Sequence, residues 1–398
     1  MADPLIRTVP MTGLAGLRNR ARPERLEPGS LVFADNVDCD DSQTLERRDG
    51  YALALGLDEC TSAYATRDGE RLFLVEAGTL VSLDSTLTRT VLATGLVDSV
   101  LLWAEAAPYV YYAGAHDAGM IVGGLEHRAL RVPSPQAPVL QVTAGDLPAG
   151  QYQATCVWRD WVTGMESAAP VAAVMEVMEG QGLSITAPTW PGMETLIYVS
   201  EPNGDRLFLL CNSASVIVSG TDLLTLAHPL HDEQIAMNPL PENVSALAWH
   251  EGRLWAATQD AGSPVSAVWF SQPFWPSMFD LAADYILVDG TVVGMASSPA
   301  GLLIATQKAL WLYTPEDTLQ QLTHYGAVPG YPITQDRNGL HYIWTAKGLL
   351  SFPPLTPLTE GKVFVRPGTV CSTAMVERRG RQQVVVLTDG GGSAFNSY

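Results

Sequence analysis

The chain has 398 residues, 47% of them hydrophobic, and a formal net charge of −19. A chain of this size and composition can bury two or three ordinary cores, or one large repetitive core, without disulfides or a metal. The acidic charge argues against a protein that grips a nucleic-acid backbone, because such binding needs clustered Lys and Arg.

The cysteines and the hydropathy pattern argue against further classes of protein: disulfide-rich, zinc-binding and membrane-spanning. Five cysteines are widely scattered without a C-x-x-C pair, so we expect free thiols and neither a disulfide framework nor a zinc site. No run approaches the roughly 18 apolar residues of a membrane span, and the first residues lack an apolar targeting segment. We expect a protein made in the cytoplasm, without a membrane span and without a cofactor or metal.

Residues 1–29 are predicted to form an extended arm rich in arginine. The whole chain has three lysines, whereas the first fifty residues contain Arg7, Arg18, Arg20, Arg22, Arg25, Arg47 and Arg48. The planar guanidinium suits bidentate pairing with carboxylates across a protein interface. An arginine arm on an acidic body therefore predicts head-to-tail contact between copies, and a solvated flexible terminus is the alternative.

An acidic stretch, "ADNVDCDDSQTLERRDGY" at residues 34–51, follows the arm. Its candidates for charged contacts are Asp38, Asp40, Asp41, Arg47 and Arg48. A calcium loop would need a central Gly and a Glu at its twelfth place, and that place is Asp49. We interpret these side chains as turn caps and interface charges, which pair within the stretch or with the arginines of a neighbouring copy.

One hairpin pattern then recurs six times: a turn with Gly or Pro, an apolar strand, a second turn and another apolar strand. The copies begin at Arg67, Ala107, His250, Pro299, Arg337 and Arg379. Most neighbouring copies begin about 40–50 residues apart, which is the length of a four-stranded propeller blade. We predict an all-β chain with an irregular β-propeller of about six blades, built from residues 30–137 and 241–398.

The interval between the second and third hairpins is too long by about one small domain. It contains "AGQYQATCVWRDWVTGMESAAP" at residues 149–170, an alternating pattern around a turn, followed by further short strands. This pattern predicts an inserted β-sandwich at residues 138–240. The segment resembles the fibronectin type III-like domains common in virion proteins, in which a "Y-x-Y-x-x-V-x-x-x-G-x-E-S" strand pair precedes a proline.

A second resemblance covers residues 16–51. This stretch is similar to the start of phage tail nozzle and hub propellers, where an "ADNVD(I)DD-x-G-x-L-x-R-R-x-GY"-like segment leads into the first blade. The matching positions are Ala34, Asn36, Asp38, Leu45, Arg47, Arg48 and Gly50, and Gln43 departs from the pattern. The segment "AVWFSQPFWPSMF" at residues 267–279 looks like a strand and turn of the same proteins, with Gln272 in place of an acidic residue.

Motifs of catalysis and metal binding are weak in this sequence. "HPLHDE", with His228, His231 and Asp232, offers no third ligand and fits a surface turn. "TQDRNGLHYIW" at residues 334–344 approaches a sialidase-type Asp box but has one residue too many. There is no nucleophile elbow, P-loop or H-E-x-x-H motif. We therefore expect no enzymatic activity.

The ten tryptophans could serve a core or a ligand surface. Those within apolar strands fit blade core: Trp103, Trp255, Trp269, Trp311 and Trp344. The candidates for exposed aromatic binding are Trp158, Trp161, Trp190 and Trp275. Exposed aromatic side chains of this kind bind glycans or anchor protein interfaces.

Together the resemblances imply a virion structural protein of a phage tail or head-to-tail connector. Its partners would be other copies in a ring, neighbouring tail, adaptor or portal proteins, and genomic DNA that passes without specific binding. A ring requires a heterologous interface. The alternatives are a receptor- or glycan-binding tail-tip module and a propeller glycoside hydrolase.

Overall fold

The computed structural model describes residues 13–34, 37–39, 45–47, 52–57, 59–378 and 381–389. Strands dominate these residues, and three short 3-10 helices lie at Pro23–Arg25, Asp222–Thr225 and Asp232–Gln234. No α-helix occurs in the described ranges, and none of their helices is long and apolar enough to cross a membrane. The predicted all-β class is confirmed.

Two small strand pairs precede the ring of larger sheets. Strand β1 (Gly16–Leu17) pairs in parallel with β2 (Ser30–Leu31). Strand β3 (Val37–Cys39) pairs with β4 (Leu45–Arg47) as an antiparallel hairpin. The described part of the arm is thus an extended segment that loops out between β1 and β2.

The first two large sheets are four-stranded and antiparallel, with their strands in chain order. The first contains β5 (Cys60–Ala65), β6 (Arg71–Glu76), β7 (Thr79–Asp84) and β8 (Arg89–Thr94). The second contains β9 (Leu102–Ala106), β10 (Tyr109–Ala113), β11 (Ala118–Val122) and β12 (Glu126–Ala129). Strand β6 is a nearly continuous apolar run because Phe73 and Val75 pack toward the second sheet while Leu74 is buried on the opposite face.

A β-sandwich follows the second sheet. Its strands are β13 (Val139–Ala144), β14 (Gly150–Arg159), β15 (Ala173–Val177), β16 (Gln181–Thr186), β17 (Glu194–Ser200), β18 (Leu207–Asn212), β19 (Ser215–Val218) and β20 (Ala227–Pro229). A three-stranded sheet, β13-β16-β19, faces a five-stranded sheet, β15-β14-β17-β18-β20. Alternate residues of both sheets, such as Tyr152 and Ile185, form one shared core.

The ring resumes with two further sheets. The third contains β21 (Val244–His250), β22 (Arg253–Thr258), β23 (Val265–Gln272), β24 (Trp275–Phe279) and β25 (Tyr285–Asp289), and β23 pairs with both β24 and β25. The fourth contains β26 (Val292–Ser298), β27 (Gly301–Thr306), β28 (Leu310–Tyr313) and β29 (Leu319–Gln321).

In the last two sheets, a strand that precedes the fifth sheet in the chain belongs to the sixth. The short strand β30 (Gly330–Tyr331) precedes the fifth sheet, which contains β31 (Ile333–Gln335), β32 (His341–Thr345), β33 (Gly348–Phe352) and β34 (Thr356–Pro357). The sixth sheet has the order β30-β35-β36, with β35 (Cys371–Arg378) parallel to β30 and antiparallel to β36 (Arg381–Thr388). The first five predicted hairpins are the second and third strands of their sheets. The turn at Arg379 lies outside the described residues.

Neighbouring sheets pack face to face through five apolar clusters, one at each junction from the first sheet to the sixth. Strands β9, β21 and β26, each the first of its sheet, lie side by side toward the centre. There the Tyr331 hydroxyl donates to the Leu101 carbonyl at 2.8 Å and lies 3.0 Å from Ser62 Oγ of the first sheet. The predicted propeller, with an inserted sandwich and an N-terminal arm, is confirmed.

The two ends of the sandwich are joined by Arg131. Its Nε donates to the Leu240 carbonyl at 3.0 Å and its Nη2 to the Pro241 carbonyl at 2.7 Å, and Nη1 reaches the His116 carbonyl. Burial lowers the pKa of Arg131, and nearby carboxylates oppose that shift. The guanidinium therefore holds the entry and the exit of the insertion against the second sheet.

We predict that Arg131→Lys lowers the free energy of unfolding by about 2 kcal/mol, because one ammonium cannot satisfy three divergent carbonyls. Urea unfolding followed by tryptophan fluorescence measures the change. Arg206→Lys, at an exposed position of the sandwich, is the matched control and should alter stability little. Equal stability of the two variants would contradict the role given to Arg131.

Candidate functional site

The arm is anchored to the body near the sixth sheet. Leu17 and Ala34 are buried in a cluster with Val363. The Asn19 side chain donates to the Phe364 carbonyl at 3.2 Å and accepts from the Phe364 N–H at 2.6 Å. These contacts link residues more than 340 positions apart in the chain. They fix where the rest of the arm emerges.

Three predicted interface arginines of the arm face solvent. Arg20, Arg22 and Arg25 are exposed, whereas Arg18 pairs with Glu27 at 3.0 Å within the arm itself. Arg47 is also exposed, on β4. Among the other predicted interface residues, Arg7, Arg48, Asp40 and Asp41 lie outside the described residues. Asp38 lies on β3 with its backbone opposite Glu46, and the structure does not describe its side chain.

Apolar side chains accompany the exposed arginines. Val32 and Phe33, directly after β2, are 47% and 65% exposed. They are held in place by Ala34, the next residue, which is buried. Arginine and phenylalanine are both enriched in protein interfaces, so this part of the chain exposes residue types that such interfaces use.

The four candidate tryptophans have different environments. Trp158 is only 5% exposed, its indole N–H donates to the Pro188 carbonyl at 3.0 Å, and its ring lies 4.9 Å from that of Trp190. The prediction that Trp158 is exposed is wrong, because Trp158 lies on the same face of β14 as buried Cys156 and is packed against Trp190. Trp190 is half-buried, whereas Trp161 is 66% exposed beneath the Arg128 guanidinium.

Trp275 lies in a crevice of about 610 Å³ between the second sheet, the third sheet and a turn of the sandwich. The crevice is lined by Ala106, Ala107, Tyr109, Tyr111, Thr163, Gly164, Met165, Trp249, Phe274 and Trp275. The rings of Tyr109, Tyr111 and Trp249 form a continuous stack, with centroids 6.1 Å and 5.4 Å apart. Its aromatic residues come from segments far apart in sequence, and only Trp275 had been singled out from the sequence.

The sandwich side of the crevice is a turn fixed by Asp160. This carboxylate is 2% exposed and accepts hydrogen bonds from the N–H groups of Val162 and Thr163 at 2.8 and 3.2 Å. The turn presents Met165 to the apolar cluster between the second and third sheets. Asp160 is thus a structural cap, of the kind that Asp supplies in loops.

Phe274 forms the outer wall in an unfavourable backbone conformation. Its φ is 60°, a left-handed value that bulky residues rarely adopt, and its side chain is 76% exposed. Its N–H donates to the Gly252 carbonyl at 2.7 Å, and a Cβ placed on Gly252 would lie 3.0 Å from the Phe274 ring. Strain of this kind concentrates at functional sites.

The histidine run "HPLHDE" packs against the same region. The His231 ring lies edge-on to Trp275, with centroids 5.5 Å apart. Within the described ranges, no group of three or more His, Cys, Asp or Glu side chains is arranged to hold a metal ion. His231 therefore contributes to packing beside Trp275.

A buried polar chain crosses three sheets elsewhere in the ring. His250 Nδ1 lies 2.9 Å from Ser297 Oγ, and His341 Nε2 lies 2.7 Å from the Ser297 carbonyl. Burial lowers the pKa of both histidines. Asp336, from the sequence that resembles an Asp box, accepts hydrogen bonds from the N–H groups of Asn338 and Leu340, both at 2.9 Å, and so caps its own turn.

The chain is a β-propeller protein with an inserted β-sandwich, and its similarity to the solved structures it matches is low. No protein-family model matches the sequence, and no curated protein matches it significantly. The Dos1 propeller covers 90% of this chain and 81% of its own length, at 7% identity and a TM-score of 0.38. The match with Hsv2 of Kluyveromyces lactis covers 82% of this chain and 89% of Hsv2, at 8% identity and a TM-score of 0.33. The match with apo AztD of Citrobacter koseri covers 80% of this chain and 90% of AztD, at 12% identity and a TM-score of 0.28.

We predict that the protein loses stability as the pH falls from 7.5 to 5.5. The folded-state pKa values of His250 and His341 lie below the ordinary value of about 6.5 because both rings are buried. For His250, burial outweighs the opposing effect of Glu251. For His341, burial and the positive charge of Arg67 outweigh the opposing effects of the Ser297 carbonyl and Asp336. The unfolded chain therefore binds more protons below that pH. The free energy of unfolding has its full value well above a pH of about 6.5, and below that pH it decreases by about 1 kcal/mol per pH unit for each histidine.

Thermal unfolding at several pH values measures this effect. The double variant His250→Asn and His341→Gln retains hydrogen-bonding atoms near Nδ1 and Nε2 and should flatten the pH dependence, leaving the smaller part due to His127, whose pKa burial also lowers. An unchanged slope in the variant would show that these two histidines do not control acid stability.

Proposed function

We propose that the chain is a structural protein of a phage tail or head-to-tail connector, nozzle- or hub-like, that assembles as a ring of identical copies. The observation that carries the proposal is the arm, which is anchored at Leu17 and Asn19 and presents Arg20, Arg22 and Arg25 to solvent. The resemblance of residues 16–51 to phage tail propellers supplies the biological setting.

The arm suits a heterologous interface, the kind that closes a ring. Guanidinium groups on one copy meet carboxylates on the next, and the net charge of −19 makes carboxylates abundant on the receiving surface. Val32 and Phe33 add apolar area to the same surface. The interface thus combines charge-based orientation with apolar anchoring.

The acidic charge also suits a channel through which DNA passes during ejection. A negative wall makes no counterion-releasing contact with phosphate, so genomic DNA slides without binding. Neighbouring tail, adaptor or portal proteins would contact the two faces of the ring. The protein is assembled in the bacterial cytoplasm and remains in the virion.

A non-enzymatic role agrees with the environments of the carboxylates. A glycoside hydrolase needs two carboxyl groups that converge on one pocket. In the described part of the chain, the aromatic crevice has no carboxylate among its lining side chains. Asp336, in the stretch that resembles an Asp box, and Asp160, on the turn beside the crevice, both cap backbone N–H groups.

We expect the triple variant Arg20→Glu, Arg22→Glu and Arg25→Glu to abolish ring assembly while the body stays folded, because it places acidic side chains against an acidic neighbour. Light scattering coupled to size exclusion measures the mass against the 42.8 kDa of one copy. Substitution is preferable to deletion of residues 1–29, since deletion would also remove buried Leu17 and strand β1.

Arg206→Glu serves as the matched control, because it reverses an exposed arginine of the sandwich. Assembly should weaken as salt rises, since exposed charge pairs are screened. A wild-type protein that stays monomeric alone and with neighbouring tail proteins would contradict the proposed function. Rings that form equally well from the triple variant would exclude the arm as their interface.

A further inference from the structure

The aromatic crevice carries hydrogen-bond donors without protein partners. The indole N–H groups of Trp249 and Trp275 and the hydroxyl of Tyr109 make no hydrogen bond to any residue within the described ranges. Five other indole N–H groups each donate to a protein acceptor: those of Trp103, Trp158, Trp255, Trp269 and Trp344. The indole nitrogen of Trp311, in the core between the third and fourth sheets, also lacks a partner but is fully buried. The indoles of Trp249 and Trp275 differ from it because they line the crevice and are not fully buried.

These donors are not fully buried. None of the three is among the fully buried polar atoms that lack a partner. Tyr109, Trp249 and Trp275 are all half-buried and line the crevice, so part of each side chain is accessible there. A ligand in the crevice can thus contact rings and accept hydrogen bonds simultaneously.

The lining also carries no charge. In the described structure, every side chain that lines the crevice is neutral. An anionic ligand would find no cation there, and a cationic ligand would find no carboxylate. The volume of about 610 Å³ lies in the usual range for small-molecule sites.

We propose that the crevice binds a neutral saccharide, with one pyranose ring stacked on the aromatic wall. The C–H face of a pyranose is apolar and covers an aromatic ring, while its hydroxyl oxygens accept from the Trp249 and Trp275 N–H groups and from Tyr109. A purely apolar segment would leave these three donors desolvated and unpaired, which is costly.

Phe274 provides the outer face of the site. Its ring is exposed and lies over Gly252, and its backbone is held by the hydrogen bond from its N–H to the Gly252 carbonyl. The residue is thereby held in place before a ligand arrives, which reduces the entropy lost on binding. The saccharide site does not depend on the proposed ring assembly, since all of its residues belong to one copy.

The full-length protein should be tested on an array of neutral and acidic oligosaccharides that contain glucose, galactose and N-acetylglucosamine, followed by calorimetric titration of the tightest neutral probe. Phe274→Ala and Trp275→Ala should each weaken binding about tenfold through loss of stacking area. Tyr109→Phe, which keeps the ring, should weaken it about fivefold through loss of one hydrogen bond.

Phe364→Ala is the matched control, because Phe364 is an exposed phenylalanine that does not line the crevice. It should leave the Kd unchanged. Phe274→Ala removes an exposed side chain, so loss of binding in that variant is not a consequence of misfolding. Absence of binding to every neutral probe, binding to acidic probes alone, or a Kd that Phe364→Ala changes and Phe274→Ala does not would overturn the proposal.

Discussion

The contact between Arg131 and the exit of the sandwich allows the ring to accommodate its insertion. Arg131 follows β12, and its guanidinium binds the carbonyls of Leu240 and Pro241 just before β21. Leu130 and Leu240 are both buried in the cluster between the second and third sheets. The chain thus leaves and re-enters the propeller at almost one point, so that β9 and β21 still lie side by side.

The same junction determines where the crevice forms. The sandwich is held on the third sheet by backbone hydrogen bonds between Asn238 and Phe279 and by the Ser277 hydroxyl, which donates to the Glu166 carbonyl at 3.2 Å. The turn capped by Asp160 then faces the stack of Tyr109, Tyr111 and Trp249. A site built on sheets and a capped turn is more rigid than one built on free loops.

The sequence predicts the parts of this fold that local patterns encode. Each blade hairpin is a short-range feature with its own turn residues, and the long interval after the second hairpin locates the sandwich. Contacts between distant residues have no such pattern. The anchoring of Asn19 on Phe364, the parallel pairing of β30 with β35 and the branching of β23 to two partners all depend on tertiary packing.

The candidate functional residues also fall into two groups: those that a local sequence pattern indicates and those that only tertiary packing brings together. Arginine composition pointed to the arm, where Arg20, Arg22 and Arg25 are exposed, and their role in an interface stays a prediction. The crevice could not be predicted, because Tyr109, Met165, Trp249 and Trp275 come together only after the sheets pack. For Trp158, a strand parity shared with Ala154 and Cys156 indicates an inward face, and that signal was present in the sequence.

The acidic excess is explained in part by the number of turns that a propeller needs. Hydrogen bonds from their own turns and neighbouring loops lower the pKa of Asp68, Asp84, Asp222 and Asp389. These carboxylates are therefore ionised at a lower pH than an unperturbed Asp, and those of Asp68 and Asp389 are exposed, so their oxygens can accept from a second partner. A turn cap can therefore also receive a guanidinium from a neighbouring copy, so that capping and assembly are compatible roles for the same acidic residues.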